Sequence, residues 1–439
     1  MSNADVVVVG AGSAGLAAAM HLQEAGLSVI QIEARDRIGG RTSTLSFGKH
    51  KGVDVGAHWL HAYRANPLVR EAKRLGVALN TADQWPIVID GDEILGNWGQ
   101  MKLWRAWRKI DKSIVRLANN NPDAAADLAL ERTDRWQVLA GELHGTHACG
   151  TSLANVSVED FANALDSEDR FVDGGFGALV AAAGASASPR LGVTVTAISQ
   201  TADGVRVHTA QGDITARTVI LTIPTTLIAG GSIAFDPGLP DSHLAAAHDL
   251  PHGAYERLVF TLGDDPFQEE RDRAVILLND KNRSLYMLAG GGGRGVHFAD
   301  FGGVEARELS AQGQGAMADV VEDWLDLQVG SAAAKSLKPL HMSHWSADAF
   351  SMGGWSVARP GRASARLALR APVAERIWFA GEATSMEQWG TVGGAWLEGI
   401  RAATEVKRFL TVQKGCGRWV SFVGAFKARR SKAGPRNLT

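Results

Sequence analysis

Three glycines, Gly10, Gly12 and Gly15, stand directly behind the run Asp5-Val-Val-Val-Val, and a carboxylate, Glu33, closes the next apolar run. These residue types at this spacing suit a pyrophosphate and a ribose. Gly10 permits a tight turn, Gly12 lets backbone approach a phosphate, and Gly15 lets a helix pack closely on a strand. Ser13 and Ala14 open an alanine-rich run that ends near Gly26. A helix starting there turns unpaired N–H groups and its positive dipole end toward a bound phosphate. Glu33 can accept from an adenosine ribose, and its charge disfavours a 2′-phosphate. The positioning elements are legible around these groups. Four consecutive valines suit a parallel strand buried on both faces. Strand, glycine turn, helix, strand and acid then follow in the order of a dinucleotide-binding unit.

A second glycine pair and an arginine come next, in Ala34-Arg35-Asp36-Arg37-Ile38-Gly39-Gly40-Arg41. The pair permits a second close approach to phosphate, and Arg41 supplies a charge-assisted contact. Gly56-Ala57 follow an alternating run, as backbone passing close to a flat ligand would require. His58 and His61 stand three residues apart with no third ligand near them. That is a poor metal site, and it leaves His61 as a core histidine or an active-site group.

The 439 residues suffice for two or three domains. A net charge of −2 gives no global field for nucleic acid or membranes. Cys149 and Cys416 are the two cysteines, too few for a disulfide framework and consistent with a reducing compartment. No signal peptide is expected, and no apolar run approaches the roughly 20 residues of a membrane span. A cytoplasmic protein is expected; the oligomeric state stays open, a homodimer included.

Pro67 to Asn80 reads as a short amphipathic helix. Trp98 to Ala129 reads as a longer one, with Trp104, Trp107 and Ile110 at helical spacing, where tryptophans are expected in the core rather than in a lid. Residues 191–200, 204–210 and 214–223 read as strands joined by Asp203-Gly204 and Gln211-Gly212 turns. Leu258 to Leu262 reads as a further strand and Gly315 to Val329 as a helix. His341 and His344 are read as polar strand residues rather than ligands. Lys414 to Arg436 holds seven basic residues and no acidic one, the pattern of a solvated, unstructured tail.

Glu33 to Thr42 resembles the FAD-binding signature of the flavin amine oxidase superfamily, which favours FAD over NAD. Gly56-Ala57-His58-Trp59-Leu60-His61 resembles the Gly-Ala-x-Trp-(Ile/Leu)-His motif of polyamine oxidases. That implies that Gly56, Ala57, His58 and Trp59 line the flavin and that His61 enters the substrate pocket. The resemblance further implies that Val195 touches the adenine and that Thr222-Ile223-Pro224 ends a strand leading to the substrate domain. It implies that Gly381-Glu382 meets ribityl or ribose hydroxyls, and that Thr391-Val392 opens a helix facing the pyrimidine side of the flavin. Trp355 takes an aromatic position beside the flavin. Gly354 stands where monoamine oxidases carry a flavin-bonded cysteine, so non-covalent FAD is expected. Thr391 stands where they carry tyrosine, implying a roomier pocket. Arg257 stands where relatives commonly carry a lysine holding a water at flavin N5. Arginine keeps the charge but cannot deprotonate; a slip of one residue would put Glu256 there instead.

The resemblance covers residues 5 to 410 and implies an α/β fold. An FAD-binding Rossmann-type domain of the glutathione-reductase kind (1–55, 185–225 and 370–410) is expected to interleave with an α+β substrate domain (56–184 and 226–369), before a basic C-terminal tail (411–439). The implied reaction is oxidation of a mono- or polyamine to an imine, its hydrolysis to aldehyde or ketone, and reduction of oxygen to hydrogen peroxide. His61, Arg257, Trp355 and Thr391 form the candidate catalytic set. No metal and no nucleic-acid partner is expected. The alternatives are a desaturase or L-amino-acid oxidase on the same fold, an NAD-dependent dehydrogenase, and a flavin-binding protein with little turnover.

Overall fold

The computed structural model describes residues 3–82, 85–91, 93–165, 167–268, 270–279 and 283–430, with side chains as far as 412. Val6, Val7 and Val8 are fully buried inside a sheet, as a strand covered on both faces requires. The sheet order is 234–236, 195–201, 204–209, 214–221, 4–9, 29–32, with 377–379 beside the far end of 214–221. Parallel register brings strand ends level: Val9 pairs with Ile32 on one side and Leu221 on the other, and Leu221 pairs with Phe379. Gly10, Glu33, Thr222 and Ala380-Gly381 therefore emerge at one edge, where open parallel sheets bind ligands. The helix Ser13–Glu24 packs on one face against the start of the helix Val392–Arg430. Gly399 permits that approach, since a Cβ there would lie 2.1 Å from the Ala14 carbonyl oxygen.

A second sheet runs 338–342, 255–261, 297–302, 284–289, 273–278, 87–90, 93–94. Alternation sorts its side chains. Leu258, Phe260, Val275, Leu277 and Met287 pack on the helices Gly303–Gln312 and Gln314–Gln328. Ile276, Leu278 and Tyr286 face the other way, toward the helix Asn97–Asn120. Arg257 and Asp300 are direct cross-strand partners, as are Asp300 and Tyr286.

Several sequence expectations change here. The helix expected to reach Ala129 ends at Asn120, because Pro122 disfavours helical backbone before it; Ala126–Ala129 is a separate 3₁₀ turn. Trp98 and Trp104 are exposed rather than in the core. Leu103, Ala106, Ile110 and Ile114 take the buried face, and the 3.6-residue period leaves 98 and 104 outside it. The helix after Pro67 stops at Leu75, where Gly76 adopts the left-handed cap, and Leu79–Thr81 is strand. The C-terminal helix runs on to Arg430, through most of the stretch from Lys414 expected to be an unstructured tail, whose residues 431–436 lie outside the described ones; extending a formed helix costs far less than starting one.

Arg366 is wholly buried. Its Nε and Nη2 donate to the Asp160 carboxylate at 2.7 and 2.8 Å, and its Nη1 donates to Ser356 Oγ at 2.9 Å. Deleting one partner of such a pair typically costs about 3–5 kcal/mol, because the other is left buried and unpaired. Arg366→Met is expected to lower the unfolding free energy by about that amount, read from urea transitions. A loss below about 0.5 kcal/mol would show that Asp160 does not depend on it.

Candidate active site

A cavity of about 800 Å³ lies between the carboxyl edge of the first sheet and the face of the second that carries Arg257 and Tyr286. That volume is toward the top of the range of about 300–1,000 Å³ for small-molecule sites. Every residue nominated from sequence lines it except Gly15 and Glu256, the alternative to Arg257. Gly15 sits behind the turn, where a Cβ would lie 2.0 Å from the Gly10 carbonyl oxygen.

At one end the groups suit a dinucleotide. Gly12 caps the helix Ser13–Glu24 without any side-chain hydrogen bond, so its first N–H groups are left for an anion. Glu33 accepts from the Ala11 N–H at 2.7 Å and the Arg35 N–H at 2.9 Å, which aims the carboxylate while leaving lone pairs for hydroxyls. Arg35 is clamped by Asp348 through two bonds of 2.6 Å. Arg41 Nη1 donates to Gly354 O at 2.6 Å and to Glu382 at 3.1 Å. Glu382 also accepts from Ser356 N–H and Oγ and from the Gly390 N–H. Burial alone would raise its pKa, but Arg41, His252, Arg366 and Ser356 hold it at about 2. Thr391 Oγ1 caps the C-terminal helix by accepting from the Gly394 N–H at 3.0 Å, and Ser13 Oγ donates to Val392 O at 2.9 Å. An uncapped helix start, a glycine surface and an anchored carboxylate together fit a flavin dinucleotide.

The other end is aromatic. Trp355 donates to Ala148 O at 3.2 Å and packs on Tyr255, with ring centroids 5.1 Å apart. Gly390 makes room for it, since a Cβ there would lie 2.8 Å from the indole. Arg257 gives Asp300 two bonds, of 2.6 and 2.8 Å, and reaches Asp54 O and Gly56 O at 3.3 Å each. Burial works against its charge, but Asp300 more than offsets this. Glu256 does not line the cavity; it faces the opposite way and accepts from Ser343 Oγ and the Trp345 and Ser346 N–H groups. His58 is engaged by Asp54 at 2.9 Å and Asp272 at 3.1 Å. Burial opposes its protonation, yet the two carboxylates raise its pKa. His61 is half-exposed, meets Asp169 at 2.9 Å and lies parallel to Trp59.

Sequence reasoning missed His147, Asp169, Tyr255, Tyr286 and Glu387, all of which line the cavity. His147 ends the π-turn Leu143–His147, within a stretch that carries no motif. Such turns often sit at functional sites. Its Nδ1 is buried with no hydrogen-bond partner. Burial lowers its pKa to about 4, against the pull of Asp300.

Residues 13–95 and 108–407 match the family model of flavin containing amine oxidoreductases. The chain belongs to that family. It is 27% identical over 446 residues to polyamine oxidase 4 of Oryza sativa subsp. japonica, covering 93% of this chain and 90% of that one. It is also 27% identical to lysine-specific histone demethylase 1 homolog 1 of Arabidopsis thaliana, covering 92% of this chain but 52% of that protein, so it spans about half the relative's length. Putrescine oxidase bound to putrescine shares the fold with a TM-score of 0.75 at 21% identity, covering 92% and 98% of the two chains. Cyclohexylamine oxidase from Brevibacterium oxydans does so with 0.76 at 21%, covering 93% and 99%. Membership in the flavin amine oxidoreductase family makes FAD the cofactor, and the dinucleotide end described above is where its groups fit.

In this family member two histidines are held neutral, His147 in the cavity wall and the buried His252. His252, whose nitrogens lack hydrogen-bond partners, is lowered to about 3 by burial and by Arg41, against Glu382. Both histidines protonate more readily in the unfolded chain, near the ordinary value of 6.5. The stability they contribute is complete above that pH and is lost as pH falls toward 4. Unfolding free energy should therefore decline as pH drops from 6.5, and His252→Asn should make the decline shallower. An identical slope in the variant would count against a neutral His252.

Proposed function

We propose that this chain is an FAD-dependent oxidase of a mono- or polyamine, with oxygen as acceptor and hydrogen peroxide as a product. The carrying observation is a single cavity that joins a dinucleotide-shaped edge to a chamber walled by Trp107, Phe161, Tyr255, Tyr286, Trp355 and Trp389. Bound FAD supplies the two-electron oxidation of the carbon beside the amine nitrogen. The chain's own residues bind, orient and desolvate. An aliphatic amine has a pKa near 10.4, so about one molecule in a thousand is neutral at pH 7.4, a penalty of roughly 4 kcal/mol. The aromatic walls favour the neutral form, and the neutral imidazole of His147 puts no competing positive charge beside it. His61, steadied by Asp169, offers a hydrogen bond to the substrate nitrogen. Asp169 and Glu387 offer carboxylates to a second, cationic nitrogen of a polyamine.

Arg257 fixes the Gly56 carbonyl and the strand behind the flavin edge through its bonds to that backbone and to Asp300. Non-covalent cofactor binding follows from Gly354, which offers no thiol, and from Cys149, whose thiol burial pushes far above its usual range. We assign the cofactor domain to the first sheet and the substrate domain to the second.

A panel of mono- and polyamines should bleach the yellow enzyme without air and yield peroxide in air. Bleaching without peroxide would replace oxygen as the acceptor; no bleaching by any amine would end the proposal. His61→Ala should lower kcat/KM about tenfold, the worth of one hydrogen bond, while FAD content stays unchanged. Unaltered kinetics would remove His61 from the site.

A further inference from the structure

Five large apolar side chains stand in solvent on one side of the molecule. Trp98 (76% exposed), Met101 and Trp104 project from the first turns of the helix Asn97–Asn120, and Trp85 (53%) and Ile94 (68%) come from the hairpin region leading into it. The Trp85 and Trp104 rings lie 6.5 Å apart, which makes hairpin and helix one patch. Exposed contiguous apolar surface of this kind usually marks an interaction site.

The outward arc of the same helix also carries Lys102, Arg105, Arg108, Lys109, Lys112 and Arg116, all exposed. The helix has one acid, Asp111, and it is engaged by His144. Lys109 pairs with Glu131; among the described residues no ion pair holds the other five. In sequence the hairpin region carries four acids, Asp83, Asp90, Asp92 and Glu93; among the described ones Asp90 is paired with Arg135 and Glu93 is exposed. Arg108 lies over the Trp104 ring at 4.7 Å. The whole chain has a net charge of −2, so this cation density is local.

Tryptophan and aliphatic groups flanked by lysine and arginine suit the boundary of an anionic bilayer, where the cations meet phosphate and the indoles sit at headgroup depth. A nucleic acid would satisfy the cations but leave Ile94 and Met101 in water. We propose that this face docks the protein peripherally on an anionic lipid surface. No described helix is long and apolar enough to cross a bilayer. Pro86, next to Trp85, and Trp107, one turn from Trp104, line the active-site cavity. The docking face and the cavity thus share a wall, and docking sets the cavity beside the lipid surface.

The test is co-sedimentation of the full chain with vesicles of pure phosphatidylcholine or of phosphatidylcholine with a quarter phosphatidylglycerol. Binding is expected to the anionic vesicles and to weaken with salt. The double variants Trp98→Ser/Trp104→Ser and Lys102→Glu/Arg105→Glu should each weaken it roughly tenfold or more, with FAD content and circular dichroism unchanged as the check on folding. Absence of vesicle binding, or binding to duplex DNA alone, overturns the proposal. Vesicle binding that both double variants retain also overturns it, and assigns the adhesion to the basic stretch 414–436 instead.

Discussion

Level strand ends in the first sheet are the constraint from which the site follows. Residues 10, 33, 222 and 381 are far apart in sequence, and no side-chain contact needs to recruit them. Backbone register does so, because Val9, Ile32, Leu221 and Phe379 terminate together. Each strand then releases its next residue at the same edge. A one-residue slip would carry the glycine turn away from that edge. Four valines buried on both faces look alike to either face, so the register rests on the ladder and on the glycine turn and helix that follow, not on apolar alternation.

Around that edge the buried charges are consistently tied in pairs that also grip backbone. Arg41 spans Gly354 O and Glu382, Arg366 spans Asp160, Ser356 and Ala383 O, and Arg257 spans Asp300 and two carbonyls. Buried ion pairs are poor sources of net stability. Their value here is positional. Each guanidinium holds irregular chain segments that neither helix nor sheet could fix, and those segments form the cavity wall.

The dinucleotide edge was legible in sequence because its signals are local: a glycine turn, its strand and its acid sit within one βαβ unit. The substrate chamber was less so. Asp169 and Glu387 come from segments without periodic pattern, and His147 owes its state to an unpartnered nitrogen that only tertiary packing creates. Glu256 and Arg257 were adjacent candidates for one position, and strand alternation decided between them by sending Arg257 to the cavity. The tryptophans of the helix Asn97–Asn120 show a different limit. Helical spacing tells which residues share a face, but an aromatic, basic sequence does not say which face has a partner. Pro122 was a readable stop within the run taken as one helix, and the outer strand 234–236 is too short to give a periodic signal.

Electrostatic character changes along the cavity. At the dinucleotide end Glu382 is held ionised near 2 by cations and donors, despite burial. At the aromatic end His147 is held neutral near 4, because burial meets no hydrogen-bond partner. The contrast is physical: a charge survives desolvation where donors are preorganised around it, and is discharged where they are absent. A ligand with a polyanionic middle and a neutral reactive edge matches the first environment, and an amine that must arrive protonated and react neutral matches the second.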